Sequence, residues 1–345
     1  MRRIYLIRHA HPDFPLGERR CVGGRTDLPL GVLGRMQASL LPTLPELRDL
    51  GAVFCSSLSR ARQTALPLCP SPRVMPGLEE QDMGVWDGLS FREIRERFPE
   101  LYEAREADPS LLPEGAESMD AVRARMHRAL LRCLRESEGD IALVSHRTAL
   151  ASLIGRRELL LHGSVTVLRA NEEAFEVESV GLRPCPPLTR ELGEKLLSAA
   201  APGERIEAHC RAVAAEAQRI ARALPLELNE ELLVSAALLH DVARSEKDHA
   251  RLGAAWLREL GYPDAAAIAE RHHDWSGGTI DEAAVLFLAD KCVREDRRVT
   301  LEERFAASEA KCRTPEAKAA HDARRETALR LRDEINRLCA RRLVE

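Results

Sequence analysis

Two short apolar runs, each ending close to a histidine, constrain how the first half of this chain can fold. Residues 4–7 run directly into Arg8 and His9, and residues 141–144 are followed one residue later by His146. Short apolar runs that contain β-branched residues are typical of buried strands. Because an open α/β sheet binds its ligands at the carboxyl ends of its strands, both histidines are predicted to lie at a ligand site.

The residue types at the first strand end suit phosphate chemistry. Imidazole is a nucleophile that can attack phosphorus, which makes His9 a candidate for that role. The planar guanidinium of Arg8 can hold two phosphate oxygens at once. The alternative is a strand end that carries two polar side chains without any function.

Two further segments between these strands add groups of the same kind. A second buried strand at 52–55 precedes a serine-rich turn at 56–59, whose serines are predicted to cap a helix with an anion-attracting N-terminus. Arg60, in the first turn of that helix, would reach the same phosphate as Arg8. The loop 78–88 contains carboxyl groups that can protonate a leaving alkoxide, although solvated loop acids are the alternative.

Together these segments resemble the histidine phosphatase superfamily, whose members have the phosphoglycerate-mutase-like fold. The resemblance rests on segments that come in the family's order, namely 6–9, 26–38, 57–65, 80–88, 113–118 and 144–146. For residues 1–182 it implies an α/β sandwich. Ala10 and Arg147 stand where the family usually has glycine. Because the large insertion of the glycolytic mutases has no counterpart, we expect a phosphatase similar to the small α-ribazole-phosphatase-like members.

The resemblance implies a cofactor-free reaction in two steps. His9 attacks phosphorus and carries it as a phosphohistidine. Arg8, Arg60 and His146 hold the equatorial oxygens and stabilise the charge of the transition state. Glu80 protonates the leaving group and then activates water, and a neighbouring acid of the same loop is the less favoured donor. Weaker phosphate-binding candidates in this half are Arg20, Gly24, Thr26 and Arg147.

A proline-rich segment separates this half from a helical one. Residues 183–188 contain three prolines and can continue neither a strand nor a helix. From residue 189 onward, Ala, Leu, Glu and Arg recur with helical spacing. The predicted organisation is therefore an α/β domain at 1–182, a linker at 183–188 and an all-α helical bundle at 189–345.

Histidines and aspartates recur at the ends of the predicted helices in the second half. The clearest example is the pair His240 and Asp241, which directly follows an apolar helix at 232–239. Imidazoles and carboxylates that separate helices bring into one bundle suit a divalent metal. A single histidine at a helix end is more often structural, so the metal site is predicted from the whole series.

This half resembles the HD-domain phosphohydrolases and is similar to the bacterial HD proteins that split diadenosine tetraphosphate symmetrically. The resemblance implies one or two divalent ions, iron, manganese or another metal. The ligands that it implies are His209, His240, Asp241, His249, His272 and Asp290. His273 is the alternative to His272, and Lys291 is a weak candidate for phosphate binding.

Composition limits the partners of such a chain. The net charge is −4 and aromatic residues make up 4%, which disfavours a nucleic-acid surface. The nine cysteines are widely spaced without a CxxC motif, and no apolar run approaches the length of a membrane span. We therefore expect a cytoplasmic protein that acts on small phosphorylated substrates, with no nucleic acid and no membrane as partners.

These patterns support a leading hypothesis and two alternatives. The leading one is a bifunctional phosphohydrolase. Its first half is a phosphohistidine-forming phosphomonoesterase, and its second is a metal-dependent HD phosphohydrolase acting on a nucleotide or dinucleoside polyphosphate. The second hypothesis keeps the phosphatase and makes the HD half a non-catalytic nucleotide sensor. The third treats both halves as interaction modules, which the intact Arg8-His9 and His240-Asp241 pairs disfavour.

Overall fold

The computed structural model describes residues 2–154, 160–171, 174–275, 277–310 and 312–345. The chain divides into two compact units, with the border between Cys185 and Pro186. The first unit contains a mixed sheet covered by helices, and the second is built almost entirely from helices. The predicted α/β sandwich and helical bundle are thereby confirmed.

A six-stranded sheet forms the middle layer of the first unit. Its strands are β1 (Arg2–Arg8), β2 (Ala52–Cys55), β3 (Arg73–Val74), β4 (Ile141–Ser145), β5 (Val165–Ala170) and β6 (Phe175–Leu182). They lie in the order β3-β2-β4-β1-β5-β6. β1 runs parallel to β4 and antiparallel to β5. Because β1 and β4 are parallel neighbours, their carboxyl ends bring His9 and His146 to the same edge of the sheet.

The apolar side chains of β1 supply a core on each face of the sheet. Ile4 and Leu6 pack into a cluster with Met126 of a covering helix. Tyr5 and Ile7 point to the other face and join a second cluster. Burial on both faces explains why the strand is a continuous apolar run and not an alternating one.

The helices of the first unit begin and end where proline and capping residues dictate. They are α1 (Val32–Leu40), α2 (Ser59–Ala65), α3 (Phe91–Arg97), α4 (Pro99–Ala107), α5 (Met119–Arg135) and α6 (Arg147–Ile154). The helical spacing from 34 to 50 predicts a longer first helix than the structure contains, because Pro42 and Pro45 lack a donor and short 3-10 turns replace it. Pro99 likewise divides the helix expected at 90–105 into two.

The second unit is a bundle in which most helices pack against one or both of two buried helices, Glu230–Leu239 and Glu282–Lys291. Its helices are α7 (Arg190–Ala200), α8 (Glu204–Ala223), α9 (Glu230–Leu239), α10 (His249–Glu259), α11 (Pro263–Glu270), α12 (Glu282–Lys291), α13 (Leu301–Glu309) and α14 (Pro315–Leu338). α9 contacts α7, α8, α11 and α12, and every residue of α12 from Ala283 to Lys291 is buried. Sequence periodicity did not predict the small hairpin of β7 (Val293–Arg294) and β8 (Arg297–Arg298). Among the residues that the structure describes, no helix is long and apolar enough to cross a membrane.

Candidate active site and candidate metal centre

His9 lies at the carboxyl end of β1 with its ring held in one orientation. Its backbone N–H donates to Ser145 O over 2.9 Å, which ties it to the end of β4. Its side-chain Nδ1 lies 2.7 Å from Ala10 O. Because a carbonyl oxygen only accepts, Nδ1 carries the proton and the neutral ring keeps its lone pair on Nε2. The nitrogen that could attack phosphorus is therefore Nε2.

The surroundings of His9 favour this neutral form. The side chain is buried, and its ring centroid lies 5.0 Å from that of His146. Burial is the main cause that holds the pKa of His9 well below its ordinary value, and the charges of His146, Arg60 and Arg8 act in the same direction. An imidazole in this environment is ready to act as a nucleophile.

Arg8 and Arg60 bring two guanidinium groups to this edge of the sheet, one partly buried and one fully buried. Arg8 donates to Leu160 O and lies 2.7 Å from a ring nitrogen of His162, measured from Nη2 to Nε2. Arg60 is fully buried and donates to Thr26 O and Gly23 O over 2.7 and 3.0 Å. Neither arginine has a carboxylate within ion-pair distance in the described segments of the chain. Their charges are therefore not neutralised by a direct ion pair, although Glu80 acts on both at longer range.

Three buried nitrogens of the cluster have no hydrogen-bond partner in the part of the chain that the structure describes. They are Nε of Arg8, Nε of Arg60 and Nδ1 of His146. His146 uses its other ring nitrogen, Nε2, which lies 2.9 Å from the buried hydroxyl of Ser56. Buried polar groups normally have partners, so orphaned donors beside two guanidinium groups indicate a site for an anion.

The helix that carries Arg60 begins differently from the sequence prediction. The serines at 56–59 were expected to cap α2, but no side-chain cap comes from its own N-cap residue, Leu58. Instead, the carboxylate of Asp27 accepts from the backbone N–H and hydroxyl of Ser59 over 2.6 and 2.8 Å. The loop that supplies this cap also supplies the two carbonyl groups to which Arg60 donates.

Glu80 lies against the N-terminus of α6, the helix that follows His146. Its Oε1 accepts from the Ala149 N–H over 3.0 Å, and its Oε2 accepts from the Thr148 N–H over 3.1 Å. Arg125 fixes the loop behind it by donating to Glu80 O over 3.0 Å and by pairing with Glu117. The carboxyl group is thus held by backbone donors at the edge where His146 lies.

The neighbouring acids of this loop face other groups. Glu79 accepts from the Ser57 hydroxyl over 3.0 Å and from the Gly77 N–H over 2.7 Å. Asp82 pairs with Arg25, with 2.7 Å between Oδ2 and Nε. Of the three acids, Glu80 alone contacts α6 within the described residues.

The weaker phosphate-binding candidates of the first unit occupy different positions. Arg20 donates to the Glu18 carboxylate and to Gly88 O. Thr26 uses its hydroxyl on Asp87 and offers its carbonyl to Arg60. Gly24 lies so close to the Glu80 loop that a Cβ there would come within 2.8 Å of Glu80 O. Arg147 is exposed at the start of α6.

Two histidines that the sequence prediction did not select lie beside His9. The ring centroid of His162 lies 5.4 Å from that of His9, and the rings of His11 and His162 are 5.0 Å apart. His162 stands in a short connection before β5 without any recognisable motif. Only the proximity of β5 to β1 brings it to the site, and a single sequence does not contain that information.

In the second unit, all six predicted metal ligands converge on one buried region. His209 lies on α8, His240 and Asp241 directly follow α9, His249 begins α10, His272 follows α11 and Asp290 lies on α12. Three overlapping groups of their ligand atoms each fit within 4.8 Å, namely His209 with His240 and Asp290, His240 with Asp241 and His272, and His249 with His272 and His273.

The histidines of this region direct one nitrogen toward its centre. Nδ1 of His240 lies 2.7 Å from Ala237 O, Nδ1 of His272 lies 2.6 Å from Ala269 O, and Nδ1 of His209 lies 2.8 Å from Glu295 O. Each Nδ1 therefore donates to a carbonyl and directs Nε2 toward the cluster, where Nε2 of His209 lies 3.2 Å from Asp290 Oδ1. Nε2 of His240 and of His272 is buried without a partner among the described residues. This arrangement is the one that metal-binding histidines adopt, so the residues fit a divalent ion.

Asp241 lies between two sets of imidazole nitrogens. Its Oδ2 is 3.6 Å from Nε2 of His240, and its Oδ1 is 3.2 and 3.5 Å from Nε2 of His249 and His272. Burial raises the pKa of this carboxyl, but the neighbouring histidines outweigh that effect and hold the pKa well below its ordinary value. The two oxygens of one carboxylate can thus serve ligand groups on opposite sides.

Asp290 and Lys291, both on α12, border the cluster of candidate metal ligands. Asp290 Oδ1 is 3.2 Å from Nε2 of His209, and its Oδ2 is 2.6 Å from Nζ of Lys291. Lys291 also donates to His272 O over 3.0 Å. His273 lies beside His272, with its Nε2 2.9 Å from Nε2 of His249. Both histidines predicted as alternatives therefore lie at the cluster, and His272 is the one whose Nε2 faces Asp241.

Comparison with known protein families assigns both units. The profile of the histidine phosphatase superfamily (branch 1) matches residues 4–181. The profile of the HD domain matches residues 206–295. These matches confirm the two resemblances that the sequence suggested.

Known relatives match about half of the chain. "Bifunctional protein Rv2228c" of Mycobacterium tuberculosis is 35% identical over 158 residues, covering 44% of this chain and 43% of that protein. "Metal-independent phosphoserine phosphatase" of Arabidopsis thaliana is 29% identical over 194 residues, covering 51% and 79%. "Probable phosphoglycerate mutase GpmB" of Yersinia pestis is 34% identical over 164 residues, covering 45% and 74%. The chain thus spans less than half the length of the mycobacterial relative.

Proposed function

The chain belongs to the histidine phosphatase superfamily and also carries an HD domain, and we propose from this combination that it is a bifunctional phosphohydrolase. The first unit hydrolyses phosphomonoesters through a phosphohistidine. The second unit hydrolyses a nucleotide or dinucleoside polyphosphate with the help of a divalent metal. The proposal is supported separately for each unit by the geometry of its own cluster.

In the first unit, the proposal rests on the orientation of the His9 ring. Because Nδ1 donates to Ala10 O, the lone pair on Nε2 is available to attack phosphorus. The new N–P bond forms while the P–O bond to the alcohol breaks, and the bonding electron pair leaves with the alcohol oxygen. Glu80 donates the proton that this oxygen needs.

The second step returns the enzyme to its starting state. Glu80, now a carboxylate, accepts a proton from water, whose oxygen attacks the phosphohistidine. The N–P bond breaks, its electron pair returns to Nε2 of His9, and inorganic phosphate leaves. Throughout both steps Arg8, Arg60 and His146 hold the equatorial oxygens and stabilise their charge. No metal takes part in this sequence.

Small phosphorylated metabolites are the proposed substrates of this site. Phosphoserine and phosphoglycerate, after which two of the relatives are named, belong to this chemical class. Hydrolysis is favoured over mutase activity because residues 1–182 lack the large insertion of the glycolytic mutases. The exposed charge of Arg147 beside the site suits a substrate with a second anionic group.

Chemical trapping tests the first half of the proposal. After brief exposure to a phosphate-labelled substrate, the wild-type protein should retain label that is stable in alkali and lost in acid, on the peptide containing His9. His9→Asn should carry no label, and the exposed His127→Asn should serve as a labelled control. Turnover without label on His9, or label on another histidine, would overturn the mechanism.

In the second unit, the six converging ligands are the proposed holders of one or two divalent ions. When bound, such ions act as Lewis acids toward a phosphoryl oxygen and activate water. The hydrogen bonds of His209, His240 and His272 to carbonyl groups fix the direction of each Nε2, and so fix where an ion would bind. Asp241 and Asp290 supply the negative charge that balances the ions.

Metal content tests this second half independently of turnover. The purified wild-type protein should bind manganese or ferrous iron in at least one equivalent per chain, measured by elemental analysis after dialysis. Asp241→Ala should lose bound metal, because its carboxylate lies between both sets of nitrogens. The exposed Asp274→Ala is the matched control and should bind as the wild type does. Unchanged metal content in Asp241→Ala would contradict the ligand assignment.

A further inference from the structure

His162 contacts the catalytic arginine in a way that fixes its own protonation. Its Nε2 lies 2.7 Å from Nη2 of Arg8. A guanidinium group only donates, so Nε2 must accept and the ring proton must lie on Nδ1. His162 is therefore a neutral acceptor for Arg8.

Among the described residues, the Arg8 side chain has two acceptors, and both come from one short segment. Arg8 donates to the carbonyl of Leu160 and to the ring of His162, two residues apart. The segment is itself tied to β1, since the Arg8 N–H donates to Ser164 O over 3.0 Å and the Gly163 N–H donates to Arg8 O over 3.1 Å. The guanidinium is thus held by groups that cannot move independently of β1.

The chemical type of this acceptor has a consequence for anion binding. A carboxylate at this position would orient Arg8 equally well, but it would cancel the charge of Arg8 and repel a phosphate dianion. A neutral imidazole orients the guanidinium and leaves its charge available. Burial, together with the charge of Arg8 and the nearby His9, lowers the pKa of His162 well below its ordinary value, in agreement with the neutral form.

We propose that His162 is a positioning residue of the first site, which aligns the Arg8 guanidinium for the phosphoryl oxygens without neutralising it. Its ring also packs against the ring of His9, at 5.4 Å between centroids, so it borders the reacting atom without contacting it through a hydrogen bond. The inference rests on the proposed phosphatase function of this site.

Three variants of the full-length protein test the role of His162 with an aryl phosphate as substrate. His162→Leu removes the acceptor and should lower kcat/KM about ten- to a hundredfold, the range for loss of a hydrogen bond to a charged group. Its affinity for inorganic phosphate, measured as product inhibition, should fall as well. His162→Gln supplies an amide oxygen near the position of Nε2 and should restore most of the activity. His127→Leu, at an exposed site on α5, is the control and should match the wild type.

A double-mutant cycle separates positioning from a general packing effect. If His162 acts through Arg8, His162→Leu should change the residual activity of Arg8→Met less than twofold. An equal loss in both backgrounds would overturn the inference, as would His162→Gln being as impaired as His162→Leu when circular dichroism shows both folded. Failure of the proposed function looks different, because His9→Ala would then retain wild-type activity.

Discussion

At the scale of single residues, hydrogen bonds from ring nitrogens to carbonyl groups decide what each histidine can do. Nδ1 of His9, His209, His240 and His272 donates to a carbonyl oxygen, which directs Nε2 into the cluster of each unit. The same local hydrogen bond thus orients the proposed nucleophile of the first unit and the proposed metal ligands of the second. The two units differ in the groups that surround these nitrogens. These groups are guanidinium groups in the first unit and carboxylates in the second.

Replacement of the proposed proton donor should depend on the leaving group. We expect Glu80→Gln to lower kcat about 10²- to 10⁴-fold with an alkyl phosphate, whose leaving alkoxide needs a proton. The loss should be much smaller with p-nitrophenyl phosphate, because nitrophenolate leaves without protonation. The comparison is a steady-state assay of both substrates. Glu79→Gln, one residue away and bonded to Ser57 and Gly77, is the control, and an equal loss in it would contradict the assignment.

The residues that the sequence did not indicate share a physical reason. Arg125 and His162 each contact backbone groups or side chains far away in the chain. Motif spacing captures residues that follow a strand end directly, such as His9 and His146. It contains no information on which loop returns to which strand, so contacts of this kind require the folded structure.

At the scale of secondary-structure elements, strand ends were easier to predict than helix ends. The apolar runs that end near His9 and His146 became adjacent parallel strands, since burial on both faces requires a continuous apolar sequence. Helix ends depend on single residues such as proline, which the hydrophobic periodicity does not take into account. Two prolines end α1 early, and another proline divides the pair α3 and α4.

The cap on α2 gives a prediction at this scale. Asp27→Ala removes both hydrogen bonds to Ser59 and should lower the free energy of unfolding by about 1 kcal/mol, the usual value of an N-cap. It should also lower kcat, because α2 carries Arg60. Urea unfolding and a phosphatase assay measure the two effects. Ser57→Ala is the control, and a variant Asp27→Ala that matched it in both assays would contradict the role of Asp27.

At the scale of the whole molecule, the chain joins two phosphohydrolase families whose chemistry has different requirements. The first unit gathers two guanidinium groups and two imidazoles at one sheet edge, whereas the second gathers imidazole and carboxylate groups with Lys291 beside them. Composition and periodicity suffice to separate an α/β half from a helical half. The exact borders at 182 and 189 stay a prediction, because proline-rich segments mark a region and not a residue.

The most direct test of the proposed bifunctional hydrolase is one set of assays that combines three proteins, two substrates and two conditions. Wild type, His9→Ala and Asp241→Ala are assayed on an aryl phosphate and on a dinucleoside polyphosphate, each with manganese and with a chelator. We predict that His9→Ala loses only the aryl phosphatase activity, and that Asp241→Ala or the chelator abolishes only the dinucleoside polyphosphate hydrolysis. Loss of wild-type aryl phosphatase activity in the chelator would contradict the metal-free first site. Loss of both activities in one variant would contradict two independent centres.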